Sequence, residues 1–232
     1  MPDLADVTAV TVNYRTADLT KRCVSSFLTQ YPQVKFILID NGSHDDSTSY
    51  IREVAALHPN VSAIFNQANL FHGPALDQGI RASKTRFVFT LDSDCEVKSG
   101  GFLELMIGLF QDPSLYATGM LLLVDRFGFS LPPASKGGIQ YVHPSAMLLE
   151  RGKYAGLPPF VHHGAPCLRN MREAIKAGFT VSDFPVMDYI SHDWRGTAGR
   201  YGYGLGATTY LRSLLSLKLV PALRHLSSAL RR

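Results

Sequence analysis

Two aspartates one residue apart, Asp92 and Asp94, directly follow a run of apolar residues in the segment FVFTLDSDCEV at 87–97. The run before them is typical of a β-strand that is covered on both faces. In an open α/β sheet, ligands bind at the carboxyl ends of such strands. Two carboxylates there could hold a hard divalent cation such as Mg²⁺ or Mn²⁺. A solvated turn with a capping aspartate is the alternative interpretation of Asp-Ser-Asp.

Polar side chains also end two earlier apolar runs. Asn13 closes VTAVTVN at 7–13, and Asp40 closes VKFILID at 34–40. Because the carboxyl ends of parallel strands lie at one edge of a sheet, we expect these groups to converge with Asp92 and Asp94 on one cleft. A carboxylate at Asp40 could accept a hydrogen bond from a base or a ribose hydroxyl. Taken alone, Asp40 is better explained by a turn in IDNGS.

The elements that must position these residues alternate along the first half of the chain. Strand patterns at 7–13, 34–40, 61–66 and 87–91 are separated by three stretches with helical spacing of apolar residues. This order predicts an α/β fold with a single, mainly parallel sheet flanked by helices. The second half is predicted to be irregular, with a helical stretch at 101–111, strand-like runs at 116–124 and 139–151, and a helix at 168–177 that Gly178 ends. We place one domain at 1–205, with halves at 1–98 and 99–205, and an amphipathic helical tail at 206–232.

Composition restricts the class of protein. A hydrophobic fraction of 46% and a charged fraction of 18% indicate a folded domain with a sizeable core. Three cysteines that form no C-x-x-C pair indicate reduced thiols. With no signal peptide or membrane span visible, we expect a cytoplasmic protein. The net charge of +4 comes from the acid-free end of the chain after Asp193, so no nucleic-acid partner is expected.

Three segments, VTVNYRTADLTKRCVSSF, ILIDNGSHDDS and GPALDQGIRASKTRFVFTLDSD, together resemble the first half of a family-two glycosyltransferase with the Rossmann-like GT-A fold. The resemblance implies that Asp92 and Asp94 are the D-x-D motif, which holds Mg²⁺ or Mn²⁺ on a nucleotide-diphosphate sugar. It implies the following donor-binding residues: Val12, Asn13, Tyr14, Asp40, Gly73, Asp77, Asp92 and Ser93.

The later part of the chain resembles the family in two further segments. IQYVHPSAMLLERGKY is similar to the segment that floors the acceptor site, with His143-Pro144-Ser145-Ala146 in place of the usual residues. SHDWRGT at 191–197 is similar to the segment whose histidine joins the D-x-D acids on the metal, which implies His192 as a third ligand. A capping histidine at the surface is the alternative for His192.

The catalytic base departs from the family's pattern. The Glu-Asp pair that usually opens the helix before Ala-Gly-aromatic would fall near Pro166-Cys167, and no carboxylate lies between Glu150 and Glu173. An imidazole can act as general base near neutral pH, so we favour His163. His162 and Asp188 are the next candidates.

The leading hypothesis is an inverting, metal-dependent glycosyltransferase acting on a glycan or a lipid-linked saccharide, as in polysaccharide biosynthesis. A catalytically degenerate nucleotide-sugar-binding protein and, below it, a nucleotidyltransferase are the alternatives.

Leucines step by three or four residues from Leu211 to Leu230 among basic residues. Such a stripe more often packs against the domain or in a homodimer, but a basic amphipathic stretch can also lie on an anionic membrane. The resemblance to a family that often uses lipid-linked acceptors implies peripheral membrane contact through 211–232.

Overall fold

The computed structural model describes residues 3–133, 135–161, 165–194 and 196–201. Within these ranges the β-strands are Val7–Asn13 (β1), Lys35–Asp40 (β2), Val61–Phe65 (β3), Phe87–Leu91 (β4), Cys95–Val97 (β5), Leu115–Val124 (β6), Ile139–Glu150 (β7), Thr180–Asp183 (β8) and Ile190–His192 (β9). The α-helices are Ala17–Gln30 (α1), Asp46–Leu57 (α2), His72–Ala82 (α3), Phe102–Leu109 (α4), Arg151–Tyr154 (α5), Leu168–Lys176 (α6) and Gly196–Tyr201 (α7).

The first four strands form the parallel half of the sheet. β1 pairs in parallel with both β2 and β4, and β2 pairs in parallel with β3. All seven residues of β1 are buried, as expected for a strand covered by helices on both faces. Helix α1 turns Leu19, Cys23 and Phe27, which are four residues apart, toward the core. The predicted α/β fold with a mainly parallel sheet is confirmed.

The second half of the chain extends the same sheet. β7 pairs antiparallel with β4, β6 pairs antiparallel with β7, and β8 pairs in parallel with β6. The resulting order is β3-β2-β1-β4-β7-β6-β8. The strand-like runs at 116–124 and 139–151 lie in two long, mostly buried strands, β6 and β7, as predicted.

A short two-stranded ribbon stands apart from the main sheet. β5 and β9 pair antiparallel, with Cys95 opposite His192 and Val97 opposite Ile190. Neither strand is evident from the sequence, since three residues carry too little pattern to distinguish a strand from a loop. The ribbon ties the segment after β4 to a segment almost a hundred residues later.

Elements β1 to β9 belong to one compact unit, Met1–Gly196. Helix α6 ends as expected near Gly178, whose φ of 87° is in the left-handed region that favours glycine. The predicted boundary at residue 205 and the predicted tail at 206–232 lie outside the described residues. Among the helices that are described, none combines the length and the apolar character needed to cross a membrane.

Candidate functional site

Asn13 is the centre of a buried hydrogen-bond network after β1 and β2. Its Nδ2 has three acceptors for two hydrogens: Ser47 Oγ at 2.7 Å, Ser43 Oγ at 2.9 Å and Asp40 Oδ1 at 3.2 Å. Its Oδ1 accepts from Thr20 Oγ1 at 2.7 Å. The parallel register places Asn13 directly beside Asp40, which explains how two side chains distant in sequence meet.

Asp40 is held by donors from three directions. Oδ1 also accepts from the backbone N–H of Ser43 at 3.2 Å, and Oδ2 accepts from Thr48 Oγ1. The residue is only 3% exposed. Three of the roughly four acceptor positions of a carboxylate are therefore used inside the protein. The remaining one can serve a donor on a ligand.

Backbone strain is concentrated in the loops at this edge of the sheet. Arg15, His44 and Phe71 have φ values of 57°, 53° and 70°, in the region that non-glycine residues rarely adopt. Arg15 follows β1, His44 follows β2, and Phe71 directly precedes α3. Strained residues of this kind cluster at ligand sites, so the strain supports a binding function for the edge.

The β5–β9 ribbon brings His192 to Asp94. His192 Nε2 lies 3.1 Å from Asp94 Oδ1, and the two side chains are 5% and 8% exposed. Cys95 adjoins them, so that one donor atom from each of the three residues lies within 4.8 Å of the others. The predicted meeting of Asp94 with a distant histidine is thus present in the structure.

Asp92 faces a different histidine. His72 Nε2, at the start of α3, lies 3.2 Å from Asp92 Oδ1, a distance short enough for an ion pair. The same oxygen nevertheless has no hydrogen-bond partner within the described residues, because the angle is not that of a hydrogen bond. His192 Nδ1 is a second buried atom without a partner there. Two buried polar atoms at this site therefore lack a hydrogen bond within the described residues.

Two further rings complete the group after β4. The imidazole of His143, on β7, lies 6.2 Å from that of His192 between ring centroids. The indole of Trp194 lies 4.1 Å from His192 and 5.6 Å from His143. We call Asp92, Asp94, His72, His143 and His192 the histidine–aspartate cluster. Neither His72 nor His143 was predicted to lie at the site, although His143 belongs to the segment that resembles the floor of the acceptor site.

Charge interactions shift the pKa values within the cluster in opposite directions. Burial disfavours the charged form of His72, but the carboxylate of Asp92 outweighs it and raises the pKa of His72. Burial also disfavours the charged form of His192, but the hydrogen bond to Asp94 and the nearby carboxylates together raise its pKa. Burial would raise the pKa of Asp92, yet its interactions with His72, together with the charges of His192 and His143, lower it to about 2. Burial lowers the pKa of His143 to about 4, so this ring is neutral near pH 7.

The donor set suits a divalent cation. Two ligands at right angles and about 2.1 Å from one ion lie about 3 Å apart, as Asp94 Oδ1 and His192 Nε2 do. Carboxylate and imidazole are ligands that Mn²⁺ accepts. Cys95 fits less well, because burial raises the pKa of its thiol and a metal needs the thiolate.

Other predicted donor-binding residues are placed as follows. Val12 is buried in the core, Tyr14 is half-buried after β1, and Ser93 is buried between the two aspartates. Gly73 lies in the first turn of α3. Asp77 accepts from Arg81 Nε and from the hydroxyl of Tyr154, so its carboxylate is already hydrogen-bonded within the protein.

The candidates for the base are only partly described. His162 and His163 lie outside the described residues. Asp188 is exposed and lies in a 3₁₀ turn before β9, at the opposite end of the ribbon from His192. Cys167 is fully buried, and burial raises the pKa of its thiol, which agrees with a packing role.

Residues 8–176, more than half of the chain, match Glycosyl transferase family 2. The chain belongs to this family. It is 29% identical over 100 residues to the uncharacterized glycosyltransferase YibD of Escherichia coli, covering 43% of this chain and 29% of the relative. It is 27% identical over 156 residues to the uncharacterized glycosyltransferase alr2836 of Nostoc, covering 66% and 48%. The family-2 chain thus spans less than half the length of these two relatives.

Solved structures confirm the GT-A fold of this family-2 chain. A mannosyltransferase from Pyrobaculum calidifontis in complex with GDP-Man and Mn²⁺ superposes with a TM-score of 0.61 at 15% identity, covering 80% of this chain and 57% of that one. GalNAc-T7 with UDP, GalNAc and Mn²⁺ superposes with a TM-score of 0.62 at 13% identity, covering 77% and 42%. S. aureus TarS 1-349 superposes with a TM-score of 0.58 at 13% identity, covering 79% and 59%.

Proposed function

We propose that this chain is an inverting glycosyltransferase that moves a sugar from a nucleotide-diphosphate sugar to a hydroxyl acceptor with the help of Mg²⁺ or Mn²⁺. The observation that carries the proposal is the contact of 3.1 Å between Asp94 Oδ1 and His192 Nε2. Asp94 follows β4, and β4 neighbours β1, the strand that ends at Asn13. Family membership supports it, as do the GDP-Man and Mn²⁺ in one structural neighbour.

Each end of the donor has its own set of residues in this proposal. Asp40, which keeps one acceptor position, binds the ribose or base, and Asn13 keeps that carboxylate in place. Asp94 and His192 hold the cation, and Asp92 directly follows β4. The bound cation supplies positive charge that stabilises the leaving diphosphate.

The transfer itself is a displacement at the anomeric carbon. The acceptor oxygen attacks from the face opposite the diphosphate, so the configuration inverts, and a base removes the hydroxyl proton. His163 is the proposed base, followed by His162 and Asp188. His163→Ala should then lower the rate about a hundredfold with donor affinity kept. An Asp188→Asn variant without transfer activity, together with an active His163→Ala variant, would assign the role of base to Asp188.

A donor panel tests the proposed function directly. Nucleotide-sugar hydrolysis is measured with Mn²⁺, with Mg²⁺ and with a chelator, and binding of Mn²⁺ and of nucleoside diphosphates is measured by calorimetry. We expect one donor to be hydrolysed only with metal. If no donor is bound or hydrolysed under any of these conditions, the proposed function is wrong.

A nucleotide-sugar-binding protein without turnover is the second candidate. The observation that favours it is the lack of a carboxylate between Glu150 and Glu173, where the family keeps its base. It predicts the same calorimetric binding of Mn²⁺ and nucleotide with no hydrolysis or transfer of any donor. A glycan or lipid-linked acceptor, membrane contact through 211–232 and a homodimer remain proposals for the whole protein.

A further inference from the structure

Trp194 is a large aromatic side chain that lies open beside the buried cluster. It is the one tryptophan in the 232-residue chain, and it is 56% exposed. His192, two residues earlier, has a side chain only 5% exposed. An exposed indole next to a site with partnerless polar atoms is a ligand-binding feature rather than a packing one.

The backbone around Trp194 holds the ring in place. Trp194 N–H donates to the carbonyl of His192 at 3.0 Å, and Asp193 N–H donates to the carbonyl of Asp94 at 2.9 Å. A Cβ at Gly196 would lie 2.9 Å from the Cβ of Asp94, so only glycine lets the chain pass this closely. The indole also rests on the imidazoles of His192 and His143. It is therefore positioned before any ligand arrives.

The surroundings of the indole match a sugar ring. A pyranose offers a face of polarised C–H groups, which packs on the electron-rich face of an indole, and hydroxyls at its rim. A ligand with a flat apolar face and hydroxyls at its rim therefore suits an exposed indole that is bordered by polar side chains.

The location of Trp194 relative to the strands of the main sheet favours contact with the acceptor rather than with the donor. Asp40 and Asn13 lie on β2 and β1, on one side of β4, whereas His143 lies on β7, on the other side. A donor with its nucleoside at Asp40 and its diphosphate at Asp94 approaches from the β1 side. The β7 side, where the ring of Trp194 lies 5.6 Å from that of His143, is then the side that we assign to the second substrate.

We infer that Trp194 is the stacking platform for a sugar ring of the acceptor, and that the acceptor is a saccharide. This inference rests on the proposed glycosyltransferase function and gives the substrate class for it. In this role Trp194 determines acceptor specificity, while Asp94 and His192 of the cluster hold the cation of the donor.

The intrinsic fluorescence of the full chain tests the inference without any turnover, because Trp194 is its one tryptophan. Methyl glycosides and short oligosaccharides are titrated in the presence of Mn²⁺ and a nucleoside diphosphate, with n-alcohols as controls. We expect a saturable change in emission with at least one saccharide and none with the alcohols. No response to any saccharide, or an equal response to the alcohols, would overturn the inference.

Kinetics of variants separate acceptor binding from support of His192. With a saccharide that accepts sugar, Trp194→Ala should raise the acceptor KM about tenfold and Trp194→Phe less, because phenylalanine keeps a smaller aromatic face. Donor hydrolysis and Mn²⁺ affinity should stay within about twofold in both variants. Leu57→Ala, at an apolar residue 68% exposed at the end of α2, is the control and should change nothing.

Two outcomes distinguish failure of the inference from failure of the proposed function. If Trp194→Ala and Trp194→Phe weaken Mn²⁺ binding as much as acceptor use, Trp194 only supports His192 and the inference is wrong. If the wild-type protein hydrolyses no donor, the proposed function fails. In that case the fluorescence titration still decides whether a saccharide stacks on Trp194.

Discussion

The two polar groups at the carboxyl edge of the sheet are built in different ways. Around Asn13, an amide and several hydroxyls bond one another and Asp40, and none of these atoms is among the buried partnerless ones in the described residues. In the histidine–aspartate cluster, charges face one another and two buried atoms lack hydrogen-bond partners. The first group is internally satisfied apart from one acceptor position of Asp40 and preorganises the edge, whereas the second keeps buried polar atoms without hydrogen bonds.

The largest expected effect comes from the cluster. Asp94→Asn should remove Mn²⁺ binding and lower transfer roughly a thousandfold, because the leaving diphosphate loses its compensating charge. Calorimetry and a transfer assay measure the two losses. Glu96→Gln is the matched control, since Glu96 pairs with Lys98 and Arg22 instead of His192. Metal-independent transfer by Asp94→Asn at the wild-type rate would show that the cluster is structural, like the Asn13 network.

A substitution in the Asn13 network should instead lower the free energy of unfolding. Asn13→Ala leaves buried hydroxyls of Ser43, Ser47 and Thr20 with fewer partners, and should cost about 3 kcal/mol of unfolding free energy. Chemical denaturation measures this. Asn60→Ala, which loses one hydrogen bond to the carbonyl of Val34, is the control and should cost about 1 kcal/mol. Equal costs for the two variants would contradict a central role for Asn13.

Asp40 links the network to the ligand, so its variant should affect binding. Asp40→Ala should weaken nucleotide affinity about tenfold, with a smaller change in the maximal rate, because the carboxylate contacts the nucleoside and not the reacting carbon. Titration of the free nucleotide measures it. Unchanged affinity would leave Asp40 with a purely structural role in the network.

The smallest expected effect is a pH dependence of the protein's stability that arises from the cluster. The folded protein raises the pKa of His72 and His192 above about 6.5, the unfolded value, so their contribution to stability is full below that pH. It is lost as pH rises through the folded values. In a chelator, the melting temperature should therefore decline gently as pH rises above about 6.5.

Variants and metal test the origin of this decline. His72→Gln should make the slope shallower, whereas a substitution in the histidine-free Asn13 network should leave it unchanged. Saturating Mn²⁺ should reverse the trend, because a metal ligand must be the neutral imidazole. A slope that His72→Gln leaves intact would place the titrating group elsewhere.

The part of the site that could be predicted is the part set by strand ends. Asn13, Asp40 and Asp94 follow apolar runs long enough to be recognised as strands, and parallel strands bring their carboxyl ends to one edge. The resemblance to family two added His192, and the structure places it at Asp94. The role of His72 could not be predicted, because a histidine at a helix start is compatible with many positions relative to β4.

Local order in the chain is enough to specify the first four strands, their helices and the acids at their ends, because apolar periodicity is a property of neighbouring residues. The partnership of His192 with Asp94 joins residues 98 positions apart through the β5–β9 ribbon. Strands of three residues exist only when paired, and the pairing depends on the whole fold. The pKa shifts and the placement of Trp194 against two imidazoles arise in the same way, since burial and charge proximity come only from tertiary contacts.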